Sequence, residues 1–460
     1  MASCFFFAPF FLLAGIFCQG LGLYLCCMGL PFYLSRGKQV YCGAGAWSKA
    51  DAYTGGALMF CFVLFLLSNG LCYLLPTPPT IAAYGPLRLL SLGEFSSVPL
   101  SSSVFFAGLG AWAFAYRASP YRGEVPAQKD PTDQGESPEV VFTSFSRGLL
   151  IASVLLLCYG LVQHLSGFDY RYPHWQLPLG ERFKSGNYRV VGFYGHPLSL
   201  AGVSLGIFTC YWFLFSSALT ADFSAKKMLG LIKAPGLARY YFAIALVHFF
   251  LIILSGGRAP LCVAAGMLLV VPLLSGGWQQ GFSLRERSGL FGLLLALLGS
   301  VFLVKGVRGR FVELAVEVLS GQADRFKFWR IYGAMIVDRP WFGHGSAYIK
   351  YLSRDLYYHE LGFATLVDKY NAHNIYLELL ASVGIIGFVA LSLSVAYLLW
   401  QMRPPFTQGI APLLWKGNIL ALGANCLFGC SQNIFFDANV IYVHLAFFWL
   451  LRWLILLPKT

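Results

Sequence analysis

The sequence predicts an all-α polytopic membrane protein: a bundle of about 11–12 transmembrane helices with one long, partly helical external loop. Composition is the first ground. Of 460 residues, 57% are hydrophobic and only 12% are charged, about half the roughly 25% charge of a soluble domain. Spacing is the second. A hydrocarbon core about 30 Å thick takes about 20 apolar residues of helix, and runs near that length are too numerous here for one buried core. They fall at approximately 5–34, 55–75, 98–116, 145–163, 196–218, 238–255, 259–275, 288–304, 374–400, 412–429 and 437–457. Splitting the first would give a twelfth span.

The opening stretch lacks a basic n-region and a clear small-residue cleavage site, so it is expected to be retained. Most of the 12 cysteines, Cys61, Cys158, Cys210 and Cys262 among them, lie inside apolar runs, where thiols pack as small hydrophobes. Cys26-Cys27 and the Cys426/Cys430 pair have no histidine at zinc spacing nearby, so no metal or cofactor is expected. A net charge of +13 would suggest nucleic acid in a soluble protein. Here it reflects membrane orientation and an anionic ligand, with no nucleic-acid partner expected.

Alternate loops give the orientation. Loops 35–54, 117–147, 219–239, 276–288, 401–416 and 451–460 together carry 17 of the 33 basic residues, against 6 in the short loops opposite and 10 in segment 305–372. Long loops are largely exempt from the positive-inside rule, so the first set faces the cytoplasm. The chain then divides into N-terminal helices over 1–163, with a flexible polar linker near 117–144, an arginine-bearing transmembrane region over 164–304, a long external loop over 305–373, and C-terminal helices over 374–460.

Two external segments carry chemistry. Loop 164–195 is basic where depletion is the rule, with Arg171, Arg182, Lys184 and Arg189 against Asp169 and Glu181. Segment 305–372 is too long for a connector. Asp324 is placed to cap a helix running to about Val337, Pro340 ends it, and Gly343-His344-Gly345 forms a turn. Phe326, Trp329, Ile331 and Tyr332 lay that helix on the bundle or in the interface.

Three residues stand out at membrane boundaries. Arg258 lies in LSGGRAPLC. A lone boundary arginine can simply snorkel, but Gly256 and Gly257 are expected to expose N–H groups beside it, at a helix start that favours anions. Arg189 lies in YRVVGFYGHPLSLAG, where His196-Pro197 opens a helix. His373 precedes Asn374 in YNAHNIYLELLASVGIIGF, where the long segment re-enters the membrane; a helix cap is the bland account of that pair. Arg189 and Arg258 are two spans apart, and so are Arg258 and His373. Even numbers of crossings return to one face, so two fixed cations and one group titrating near neutrality share a surface. That set suits a phosphate-bearing ligand and a proton transfer.

These segments resemble the O-antigen ligase superfamily, which includes O-antigen polymerases and bacterial O-oligosaccharyltransferases. The resemblance runs over roughly 180–400 through RVVGFYGHPLSLAG, SGGRAPL, DRFKFWRIYGAMIVDRPWFGHG and AHNIYLELLASVGIIGF. It implies metal-independent glycosyl transfer from an undecaprenyl-pyrophosphate-linked glycan at the periplasmic face of a bacterial inner membrane. The acceptor is lipid A-core, or a second lipid-linked glycan if the enzyme is a polymerase. By the same resemblance Arg189 and Arg258 hold pyrophosphate, and His373 deprotonates or orients the acceptor hydroxyl. Arg325, four residues before Trp329, and Asn374 support the site. Leu198 stands where the family often has asparagine, and Gly257 where serine is expected. A lipid or polysaccharide transporter is the rival of another class. It predicts charged groups through the midplane, whereas these gather at one boundary.

Overall fold

The computed structural model describes residues 138–178, 181–183, 186–224, 235–275, 292, 296, 299, 303, 305–320, 324–345, 361–362, 372–404, 407, 409–433 and 437–456. The spans expected at 5–34, 55–75 and 98–116, most of 288–304 and residues 117–137 of the linker lie outside them, while the linker's last residues, 138–144, are helical.

Five helices among the described residues are long and apolar enough to cross a membrane. Helix α1 (Pro138–Ser166), α2 (Pro197–Ser224) and α3 (Pro235–Ser255) each begin on proline, whose fixed φ and missing N–H suit a first helical position. Helix α4 (Arg258–Leu274) follows after a two-residue turn. Beyond it come α5 (Lys305–Leu319) and α6 (Asp324–Asp338), then α7 (Ile375–Gln401), α8 (Ile410–Gly429) and α9 (Ala438–Leu456). Among the described residues β structure is confined to two isolated bridges, Phe168 with Gln176 and Arg182 with Tyr188. The protein is an all-α polytopic membrane protein. Among its described residues segment 305–372 contains two helices, and α6 ends within a residue of the expected stop.

Helix α2 is the hub, packing most extensively on α3 and α8 and also on α4 and α9. Small residues set that approach. A Cβ on Gly417 of α8 would meet Cys210 Sγ at 3.0 Å, and one on Gly206 would meet Asn425 Nδ2 at 3.2 Å. Dispersion from close packing, rather than the hydrophobic effect, holds such helices together in lipid. One polar cluster buried between the helices is held by internal hydrogen bonds, although Asn425 Oδ1 has no partner among the described residues. His444 Nδ1 lies 2.9 Å from Asn418 Oδ1, and Asn425 Nδ2 donates to His444 Nε2 at 2.9 Å. Cys210 is buried as expected, but Cys158 and Cys262 are exposed on the outside of the bundle, and all five described cysteines are free thiols.

Helix α7 is broken. Gly384, nine residues after its first, has φ 66° and ψ −175°. The turn after α6 fills the break. His344 and Gly345 donate their N–H groups to the carbonyls of Ala381 and Ser382, both at 2.8 Å. In return Ile385 and Ile386 donate to the carbonyls of Pro340 (2.8 Å) and Trp341 (3.2 Å). Interrupted backbone in a membrane segment must be satisfied by protein, and here two turns satisfy each other. The clasp fixes α6 against the first half of α7 over an apolar patch of Phe328, Ile331, Tyr332, Met335, Ala372 and Ala381.

Candidate functional site

The segment leading into α2 is fastened from α1. Gln163, fully buried, accepts from the N–H groups of Val191 (3.3 Å) and Gly192 (2.9 Å) and donates to Asp169 Oδ2 at 3.0 Å. Arg171 donates two bonds to buried Asp169 (2.9 and 2.5 Å) and one to the Gly192 carbonyl at 2.7 Å. Arg182 donates to the Gly186 carbonyl and lies over the Tyr188 ring. Two basic residues of this loop therefore shape it, and they leave Arg189 to face inward. Lys184 lies outside the described residues.

Arg189, Arg258 and Arg325 line one cleft of about 90 Å³ together with Arg310, His196 and the glycine turn. Arg189 donates from Nε to the Ser255 carbonyl (3.0 Å) and from Nη1 to Glu181 (3.1 Å). Burial pulls its pKa down to about 10, with Glu181 opposing and Arg310 and Arg258 adding to the fall. Arg258, the first residue of α4, donates from Nη1 to the carbonyl of Arg310 at 3.0 Å and faces Glu317 across 3.7 Å. Arg325, near the start of α6, is lowered by burial and then by Arg258, with Glu317 opposing. Arg310 carries a buried Nε with no hydrogen-bond partner among the described residues.

The glycine turn differs from expectation. The N–H of Gly256 is committed to the Ile253 carbonyl (3.0 Å), and that of Gly257 to Ser255 Oγ (3.2 Å). The glycines do not offer these N–H groups to an anion. They permit a close fit instead: at φ 66°, a Cβ on Gly256 would strike the Phe183 ring and lie 3.5 Å from the Arg189 side chain.

His373 is not among the residues lining the cleft. It sits at φ 48° just before α7, its Nδ1 3.0 Å from Gln432 Oε1 and its ring 5.8 Å from that of Phe328. His196 connects the two places. It lines the cleft, and its pKa is lowered first by burial; Glu181 opposes the shift, Arg189 adds to it, and His373 contributes weakly in the same sense. Asn374 is a helix cap, its Oδ1 accepting from the N–H groups of Tyr376 (3.0 Å) and Leu377 (3.2 Å). Glu378 accepts from the Ala372 N–H at 3.2 Å and from Asn433 Nδ2, which secures the turn from its other side.

Arg310, Gln432 and Glu378 escape a sequence reading. Arg310 lies in KGVRGRFVEL, an ordinary amphipathic stretch, and only the fold of α5 against α4 brings it to the cleft. Chemically, four guanidinia are answered by Glu181, Glu317 and the more distant influence of Glu313, a surplus that suits a multiply charged oxyanion. Among the described residues no group of three or more His, Cys, Asp or Glu side chains is arranged to hold a metal ion.

A search of the curated proteins finds no match. A family model described as O-Antigen ligase matches residues 242–392, about a third of the chain, from within α3 to within α7 and including Arg258, Arg310, Arg325, His373 and the clasp. Such a match supports a membrane glycosyltransferase of the O-antigen ligase and polymerase type, acting on lipid-linked glycans. Over this segment the chain is similar to the O-antigen ligase family, and the match supports membership of that superfamily.

Proposed function

We propose that the protein transfers a glycan from undecaprenyl pyrophosphate to an acceptor hydroxyl at the periplasmic face of a bacterial inner membrane, and that the reaction is ligation to lipid A-core. The observation that carries this reading is the cleft of four arginines in which Arg310 keeps a buried donor without a partner among the described residues. In the reaction the acceptor oxygen bonds to the sugar C1 as the C1–O bond to pyrophosphate breaks. Undecaprenyl pyrophosphate leaves with the electron pair, and the acceptor proton passes to His373. The leaving group is already good. The protein has chiefly to neutralise its growing charge and hold the acceptor behind C1.

Arg189, Arg258 and Arg310 take the phosphate oxygens, and forked guanidinia supply the charge that a metal provides in other transferases. Arg325 brings a fourth cation from α6. His373, beside the cleft, accepts the proton in its neutral form. In this reading regions 164–304 and 305–373 build the donor site, and 374–460 contributes the acceptor side.

The test is reconstitution in lipid vesicles with a defined undecaprenyl-pyrophosphate glycan, offering lipid A-core or a second donor molecule as acceptor. Glycan joined to lipid A-core without added metal supports the reading. Joining only of donor to donor makes the protein a polymerase, and transfer to neither rejects the proposal. Vectorial movement of the intact lipid-linked glycan would support a transporter instead.

A further inference from the structure

We propose that Gln432 is a positioning residue that fixes His373 in the tautomer carrying its proton on Nδ1, so that Nε2 is the basic nitrogen. Its use in catalysis rests on the reading of His373 as the acceptor's base. Gln432 Oε1 lies 3.0 Å from His373 Nδ1. An amide oxygen accepts and cannot donate, so with the Gln432 amide in this orientation the hydrogen sits on Nδ1. A neutral imidazole then has Nε2 as its acceptor nitrogen.

The surroundings hold the ring there from several sides. Asn433, adjacent to Gln432 between α8 and α9, donates to Glu378, which also accepts the N–H of Ala372. One short connection thus grips both the ring of His373 and the main chain just before it. His373 adopts φ 48°, a region uncommon for residues other than glycine but one in which histidine, like Asn and Asp, is enriched, and the Asn374 cap secures the following turn. Among the described residues, titratable groups near His373 include Glu378 in α7 and His196 ahead of α2, with Asp437 ahead of α9 acting on His196. Helix α6 presents Phe328, which does not titrate. Gln432 is uncharged. It selects the tautomer without raising the basicity of the ring as a carboxylate would.

The test uses full-length protein with ¹⁵N-labelled histidine in lipid nanodiscs, the His373 signals being assigned by their loss in His373→Asn. The native protein should show His373 protonated on Nδ1. Gln432→Leu should move the population towards the Nε2–H form and lower the rate of transfer about tenfold or more, with donor KM unchanged. Gln432→Glu places a carboxylate beside Nδ1–H. It should raise the His373 midpoint by roughly 1 unit or more and carry the acid limb of the rate profile upward by the same amount. This second variant keeps the proposal testable if Gln432→Leu fails to fold. A native Nε2–H tautomer, or a folded Gln432→Leu protein with an unchanged one, overturns the role of Gln432. Tautomer and midpoint changes as expected, with unaltered transfer, uphold that role and overturn His373 as the base.

Discussion

The guanidinium of Arg258 donates from Nη1 to the main-chain carbonyl of Arg310 at 3.0 Å, so one cleft arginine holds the backbone that carries another. Arg258→Ala should therefore do two things. It should abolish transfer, and it should loosen α5 by roughly 1.5–3 kcal/mol, the worth of a hydrogen bond from a charged donor. Arg258→Lys keeps the charge but not the fork, and should recover little of the rate. Thermal unfolding and single-turnover transfer on the same preparations give both readings. Full activity in the lysine protein would mean that charge alone suffices.

Arg310 separates these effects, because its contribution to α5 is a carbonyl that any side chain retains. Arg310→Gln should weaken binding of inorganic pyrophosphate by about tenfold or more, roughly 1.4 kcal/mol, while the unfolding temperature stays close to native. Calorimetric titration of the purified protein measures it. Native affinity in Arg310→Gln would remove this residue from the anion site.

The parity of crossings that put Arg189 and Arg258 on one face agrees with the single cleft that both line; for His373 it runs through the span expected at 288–304, most of which lies outside the described residues. The helix ending near Val337 was legible because Pro340 cannot extend it. Gln432 was not legible. Its importance comes from a contact between connections 59 residues apart, and nothing in SQN marks it locally. The break at Gly384 was hidden as well, since hydropathy runs without interruption across α7. The glycine turn misled in detail: glycine before a helix allows exposed N–H groups, but Ser255 Oγ takes the one at Gly257. Asn374 turned out to have its side-chain oxygen occupied by capping, so its support of the site comes through the turn that carries His373.

The clasp between α6 and α7 depends on Gly384, where φ is 66° and a Cβ would collide with the backbone of Trp341. Gly384→Ala should cost at least about 2 kcal/mol from the backbone conformation and the clash together. Because the clasp ties the helix bearing Arg325 to the one that follows His373, transfer should fall with it. Limited proteolysis of 324–345 alongside thermal unfolding would report the release. A native-like Gly384→Ala protein would show that the two turns are not mutually dependent.

Asn374 offers a milder change. Asn374→Ala removes the acceptor for two N–H groups and should cost about 1 kcal/mol, whereas Asn374→Ser should keep most of that stability. Neither variant changes the charge at the site, so folded protein should retain a rate within a few-fold of native. A loss of rate in the serine protein comparable to that of His373→Ala would assign Asn374 a direct part in the reaction.

The strongest claim about mechanism concerns His373. If it takes the acceptor's proton, His373→Ala should depress turnover by about 10²–10⁴, the usual worth of a general base. Donor binding should stay nearly intact, because the proposed pyrophosphate site is the arginine cleft, whose lining does not include His373. His373→Gln divides the two possible duties. Glutamine can orient a hydroxyl but cannot remove its proton at neutral pH, so a role in orientation alone predicts partial recovery, and a role as base predicts none. A purely structural role predicts a third pattern. Since His373 holds φ 48° against Gln432 and Phe328, its loss would then lower stability while the folded fraction worked normally. Donor binding, unfolding temperature and single-turnover transfer, measured on the same preparations, separate these cases. A folded His373→Ala protein that transfers glycan at the parental rate would sink the assignment of His373 as the base.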